Sequence, residues 1–140
     1  MHKKILRTLF FLLCMVTLCS MPAFATEARA SSQIMSYSAV LTQSSHGQLS
    51  ISFSIKATNA MSKIGASRVV IQRYDGTSWA SEYTYTIQNT PALQTSGRSF
   101  YAVELPYSPS YPQSTYRAIV YFYVESSSEI STAIGTSNTV

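Results

Sequence analysis

Between Leu49 and Ala57 the chain alternates without a break. Leu49, Ile51, Phe53, Ile55 and Ala57 fall on one side, and Ser50, Ser52, Ser54 and Lys56 on the other. A strict period of two puts the apolar set on one face of a β-strand and the hydroxyl set on the opposite face. The same signal, weaker, starts at Ile34, where Met35, Tyr37, Ala39 and Leu41 oppose Ser36 and Ser38, and Ser44-Ser45-His46-Gly47 then reads as a turn. Thr58 to Ser62 reads as a loop or one helical turn. Arg68 to Tyr74 is β-branched and ends at Asp75-Gly76, a hairpin dipeptide.

From Trp79 the pattern places Trp79, Tyr83, Tyr85 and Ile87 on one face and Glu82, Thr84 and Thr86 on the other. Gln88 to Gly97 has loop composition, Ser99 to Leu105 is a short strand, and Pro106 to Pro112 is a proline-punctuated connection. Tyr116 to Glu125 is apolar on both faces, which suits the centre of a sheet. A last strand is predicted over Ile130 to Thr139. About seven short strands at regular spacing, with no amphipathic helix of useful length, predict an all-β sandwich or barrel.

The N-terminus follows different rules. Lys3, Lys4 and Arg7 precede an apolar run from Leu9 to Leu18, followed by Pro22 and the small-x-small triplet Ala23-Phe24-Ala25. This is the layout of a signal peptide over residues 1–25, with cleavage expected between Ala25 and Thr26 and Ala28-Arg29-Ala30 as a second site. The apolar run is shorter than the roughly 20 residues that span a bilayer, which disfavours a membrane anchor. Leu13 and Leu18 precede the two cysteines, Cys14 and Cys19, where a lipoprotein signal needs a small residue. Residues 26–32 then form a flexible lead-in, and 33–140 form the sandwich domain.

Removing the leader changes the electrostatics. The ten Lys and Arg become seven while the six acids remain, so the formal charge falls from +4 to +1. A nearly neutral domain lacks the electrostatic footprint of a nucleic-acid binder. Both cysteines leave with the leader, so neither a disulfide nor a thiolate metal site is expected in the exported form. His46 is the histidine that remains, in a predicted turn, and a solvent-exposed turn residue is the simpler account of it than a catalytic base. The acids are accounted for by the turn, the lead-in and outward strand positions rather than by a carboxylate pair. Calcium loops and glycine-rich phosphate loops have no counterpart. No enzyme activity and no cofactor is expected.

Aromatic residues leave a different possibility open. Trp79, with Tyr83 and Tyr85, offers a platform for a protein or a sugar ring, and Tyr107 and Tyr111 in the proline-rich connection offer a second patch. The competing account places Trp79 and Tyr83 in the core.

Tyr116-Arg117-Ala118-Ile119-Val120 resembles the sixth strand of immunoglobulin-like and fibronectin type III domains. In those domains a tyrosine hydroxyl bonds back to the preceding loop, the tyrosine corner, a role that would fall to Tyr116, with Ala118 at the core position antibody domains give to cysteine. Trp79 departs from the antibody pattern, because it follows the Asp75-Gly76 turn, so a fibronectin type III-like or generic sandwich is a better match than an antibody-type one. Ile34-Met35-Ser36-Tyr37-Ser38, Ser52-Phe53-Ser54-Ile55 and Met61-Ser62-Lys63-Ile64-Gly65-Ala66-Ser67 resemble an uncharacterised family of small secreted proteins from Gram-positive bacteria. That resemblance implies bacterial export and no chemistry.

The expectation is therefore a secreted, extracellular, non-enzymatic module that meets a protein or glycan at the cell surface, with no membrane contact after cleavage. A hydrolase or toxin-like effector and an envelope-associated structural protein are the alternatives. Gly135 to Val140 carries no apolar tail or basic cluster, which points to release rather than anchoring.

Overall fold

The computed structural model describes residues 32–140. The predicted signal peptide, the Ala25–Thr26 cleavage point and all but the last residue of the lead-in lie outside the described residues. The rest is all-β: β1 (Ile34–Gln43), β2 (Leu49–Met61), β3 (Lys63–Tyr74), β4 (Trp79–Thr86), β5 (Gln94–Thr95), β6 (Arg98–Tyr107), β7 (Tyr116–Glu125) and β8 (Ile130–Thr136). A 3-10 turn over Pro91–Leu93 interrupts the connection before β5. Two antiparallel sheets face each other: β1-β2-β6 in one, and β4-β3-β7-β8 in the other, with β5 added beside β3.

The core is where the two alternating patterns meet. Leu49, Ile51, Phe53, Ile55 and Ala57 of β2 face Ala118, Val120, Phe122 and Val124 of β7, all buried. Phe122 holds the sheets together through its ring, edge-on to Phe53 at 5.9 Å and tilted against Tyr37 at 4.8 Å. Burial of each such Leu, Ile or Phe contributes about 1.5–3 kcal/mol. Because β7 lies between β3 and β8, its outer residues are also half-covered, as the two-faced apolar pattern predicts.

Three departures from the simple alternation have one cause, an extra residue in a strand. In β1 the register shifts between Ile34 and Ser36, so Ile34 enters the core and Met35 faces solvent, against the expectation that Met35 points inward. In β3 the shift between Ala66 and Arg68 makes Ser67 the surplus residue. In β4 the shift falls between Tyr83, opposite Ile71, and Ser81, opposite Gln72, leaving Glu82 unmatched. That third bulge divides the aromatic set. Tyr85 stays inward and buried, Tyr83 sits at the rim, and Trp79 lands on the outer face opposite Tyr74. The expected common face of Trp79 with Tyr83 and Tyr85 does not form, and Trp79 is not a core residue.

The segment from Thr58 to Ser62 is neither a loop nor a helical turn. β2 continues through Met61, Ser62 alone makes the corner, and β3 begins at Lys63 in the other sheet, five residues before the predicted start. Ser62 Oγ donates to the Glu125 carbonyl at 2.7 Å, and Gly97 N–H donates to the Met61 carbonyl at 2.8 Å. Just past the corner, Gly65 has φ +148 and lies against β5 so closely that a Cβ would collide with the Leu93 carbonyl oxygen. A residue with a side chain cannot take that place. The strand count is eight rather than about seven, because the two residues of β5 pair with Ile64 and Gly65 inside what composition alone marks as loop.

The β1 margin is closed by a side chain. Asn138 accepts from Leu41 N–H at 2.9 Å and donates back to the Leu41 carbonyl at 2.8 Å, so its carboxamide replaces the missing strand at that point.

Candidate functional site

The turn between β1 and β2, the β3–β4 turn and the β6–β7 connection all gather at one end of the sandwich. Asp75 builds the β3–β4 turn with its carboxylate, which accepts from the N–H groups of Thr77 and Ser78, each at 2.8 Å. The backbone N–H of Ser78, with that of Thr77, pulls the Asp75 pKa below its ordinary value. The β6–β7 connection, Ser108 to Thr115, is pinned onto the first turn. Gln43 Nε2 donates to the Pro112 carbonyl at 2.8 Å, and Ser108 Oγ donates to Gln48 Oε1 at 2.6 Å. Gly47, with φ +77, lets Pro112 approach within a distance no Cβ would tolerate.

Tyr116 ties this connection to the core. It opens β7, is fully buried, and its hydroxyl donates to the Tyr111 carbonyl at 3.1 Å. The Tyr111 ring points outward and is 57% exposed. Its inner side is covered by the Arg73 guanidinium, 4.5 Å from the ring centroid. Arg73 Nε lies 3.4 Å from Glu82 Oε1, an ion pair whose geometry falls short of a hydrogen bond. The Glu82 carboxylate faces the hydroxyls of both Tyr107 and Tyr116. Burial, followed by that carboxylate, raises Tyr116 to about 12 and Tyr107 above its ordinary value.

Tyr107, the last residue of β6, stacks on Tyr83 with centroids 5.7 Å apart, and Tyr83 packs edge-on against Tyr85 at 4.8 Å. Tyr85 donates its hydroxyl to the Pro106 carbonyl at 2.5 Å, and burial raises it to about 12. The result is a rigid aromatic rim of Tyr83, Tyr107 and Tyr111 with an internally balanced Arg73–Glu82 pair. Burial keeps the Tyr107 phenol above its ordinary value and so neutral at ordinary pH. Such a surface can stack on and hydrogen-bond a partner.

Of the residues singled out from sequence, Tyr107, Tyr111 and Tyr116 come together here. Trp79 does not join them. It lies on the outer face of the larger sheet, tilted against Tyr74 at 5.3 Å and covered by Arg117 at 4.2 Å. His46 is exposed in its turn, with Ser45 Oγ at 3.3 Å from Nδ1. Sequence reasoning missed Arg73 and Glu82. The alternation assigns Glu82 outward, and only the bulge turns it toward Tyr107 and Tyr116. Among the described residues, no group of three or more His, Cys, Asp or Glu side chains is placed to hold a metal ion.

No family model matches the chain, and no curated protein matches it. Among solved structures, a protein from Archaeoglobus fulgidus is similar over 76% of this chain and 94% of its own, at 11% identity and a TM-score of 0.35.

Proposed function

We propose that the protein is an exported, non-enzymatic binding module of bacterial origin, an immunoglobulin-like sandwich of the fibronectin type III kind. On this reading it works at the cell surface or in the medium and meets a protein or glycan through the loops at one end. The observation that carries this is the Tyr111 ring, largely exposed yet held from behind by Arg73 and by the Tyr116 hydroxyl beneath its carbonyl. A large aromatic fixed in advance loses little entropy when a partner lands on it. The sandwich type is supported by the strand order, in which the first, second and fifth long strands form one sheet and the third, fourth, sixth and seventh the other. It is supported also by the backward hydroxyl bond of Tyr116. Export and bacterial origin rest on the leader pattern and on the three family-like segments.

The test is capture from the native culture with the wild-type protein and with the Tyr107→Ala, Tyr111→Ala double variant. One dominant species retained by the first and lost by the second is the expected result. Equal recovery by both removes the loop end as the binding surface.

A specific observation favours a second reading, an envelope protein that assembles by strand addition. β8, Ile130–Thr136, is an edge strand with neither charge nor proline, and Ile130 and Ile134 are both exposed. Edges of that kind invite pairing with another chain. An elution volume in size-exclusion chromatography that falls with concentration, and is restored by Ile134→Lys, is its signature.

A further inference from the structure

We infer that the outer face of the β4-β3-β7-β8 sheet is a binding site for an extended polyanionic glycan, one that carries carboxylates. The inference rests on the reading of the protein as a binding module but uses a surface separate from the loop end.

Arg68, Val70, Gln72 and Tyr74 point out of β3, alternating with the buried Val69 and Ile71. The first three pair across the ladder with Tyr121, Ile119 and Arg117 of β7. The register sets two guanidiniums over two rings. Arg68 lies 3.8 Å from the centroid of Tyr121, and Arg117 lies 4.2 Å from that of Trp79. Arg117 Nε is oriented further by donating to Gln72 Oε1 at 2.9 Å. An arginine stacked in this way has lost most of its rotamer freedom, and its remaining N–H groups form a fork that matches a carboxylate.

Neither cation has a carboxylate partner among the described residues, whose two ion pairs are Lys63–Glu125 and Arg73–Glu82. Glu125 lies at the far end of the same face and is already held by Lys63 at 3.1 Å and the Tyr123 hydroxyl at 2.7 Å. The face between the two forks is therefore cationic, and its complement is an anion with charges repeated along its length. Arg117 and the Tyr121 that carries Arg68 are four residues apart on one strand, about 13 Å.

The surface between and around the forks selects among polyanions. Thr84 and Thr86 from β4 and Thr132 and Thr136 from β8 flank the two central strands, and Tyr74 is 39% exposed. A face that bears these hydroxyls, the exposed Ile134 beside Tyr121 and an aromatic ring at one end complements sugar hydroxyls and C–H faces.

The experiment measures binding of the purified protein to an oligogalacturonate by calorimetry. Comparison ligands are the fully methyl-esterified oligomer and a poly-L-glutamate of equal charge. Binding to the oligogalacturonate is expected to weaken as salt rises, because surface charges are screened. Arg68→Gln and Arg117→Gln should each weaken it about tenfold, the effect of losing one charge-assisted contact. Arg117→Lys should restore part of the loss, since the charge returns without the fork. Arg98→Gln, on the other sheet, should change nothing, and circular dichroism should be the same for all variants. Equal binding of the esterified oligomer, tighter binding of poly-L-glutamate, no binding at all, or indifference to both arginines overturns the inference. Tyr107→Ala with Tyr111→Ala should leave the glycan bound. Glycan binding lost in that variant and kept in the arginine variants assigns the ligand to the loop end instead. Failure of the loop end to capture a partner leaves this site untouched.

Discussion

The two sheets have interiors of the same kind and exteriors that differ completely. Outside β1-β2-β6, small hydroxyls bond among themselves. Ser38 and Ser54 lie 2.9 Å apart, and Ser50 donates to Glu104. Val40, Ser52 and Ala102 floor an open, shallow depression there. Outside β4-β3-β7-β8, rings and guanidiniums stack instead. One period-two alternation serves both, because the inner half of the pattern is set by the core and the outer half is left free. On the first face serine hydroxyls pair with one another and with Glu104 while Lys56 and Arg98 stand exposed, whereas on the second the guanidiniums of Arg68 and Arg117 lie over aromatic rings. Function is more readily sought where cations are held in place by rings than where they stand free in solvent.

The comparison breaks most severely if the shared interior fails. Phe122→Ala removes the ring that touches both Phe53 and Tyr37, and should cost about 3–5 kcal/mol, read as a large fall in the denaturant midpoint. An unchanged midpoint would mean that the sheets are held together elsewhere.

Alkali should separate the sheets next. Tyr85 and Tyr116 are each raised from 10.0 to about 12, chiefly by burial, and both belong to the larger sheet. Their folded pKa values lie above the unfolded ones. Their contribution is therefore complete below pH 10 and is lost as pH climbs toward 12, by about 1.4 kcal/mol per unit for each tyrosine. In the smaller sheet Tyr107 is raised as well, but it is only half-buried at the end of β6, and the fully buried residues there carry no ionisable group. Amide exchange followed through this range should show protection lost first in β4 and β7. Protection lost first in β2 would reverse the comparison.

Tyr116→Phe isolates the hydroxyl that anchors the loop end. It should cost about 0.5–1.5 kcal/mol in chemical denaturation and leave the core intact. Arg117→Gln uncovers Trp79 and should shift its emission to longer wavelength, with a stability change of about 1 kcal/mol or less. Smallest is Ser38→Ala on the hydroxyl face, expected within about 0.5 kcal/mol of wild type. A larger loss would make the Ser38–Ser54 pair a structural element rather than a solvated surface.

The residues differ in how much they disclose before folding. Leu49 to Ala57 and Tyr116 to Val124 disclose everything, because burial of alternate positions is a local rule. Met35, Ser67 and Glu82 disclose nothing, because a surplus residue in a strand is visible only against its partner. The misplacement of Trp79 follows from the last of these. Tyr107 and Tyr111 could be picked out as candidates for contact by their proline-rich setting, and Tyr116 as a tyrosine corner by the strand pattern it opens. Arg73 and Glu82 could not, since what brings them to the same tyrosines is the pairing of β3 with β4 and β7. The stacking of Arg68 and Arg117 is likewise a property of register, and two arginines separated by 49 positions look unrelated in the chain.

The corner at Ser62 limits how this molecule can be altered. With one residue between the sheets, bonded to Glu125 on one side and beside the Gly97–Met61 bond on the other, it has no slack for inserted length. A foreign epitope placed there would pry the layers apart. The Asp75–Ser78 hairpin, with open space around Gly76, leaves room for a graft. A domain organised in this way keeps its two layers fixed and offers its free turn at one pole.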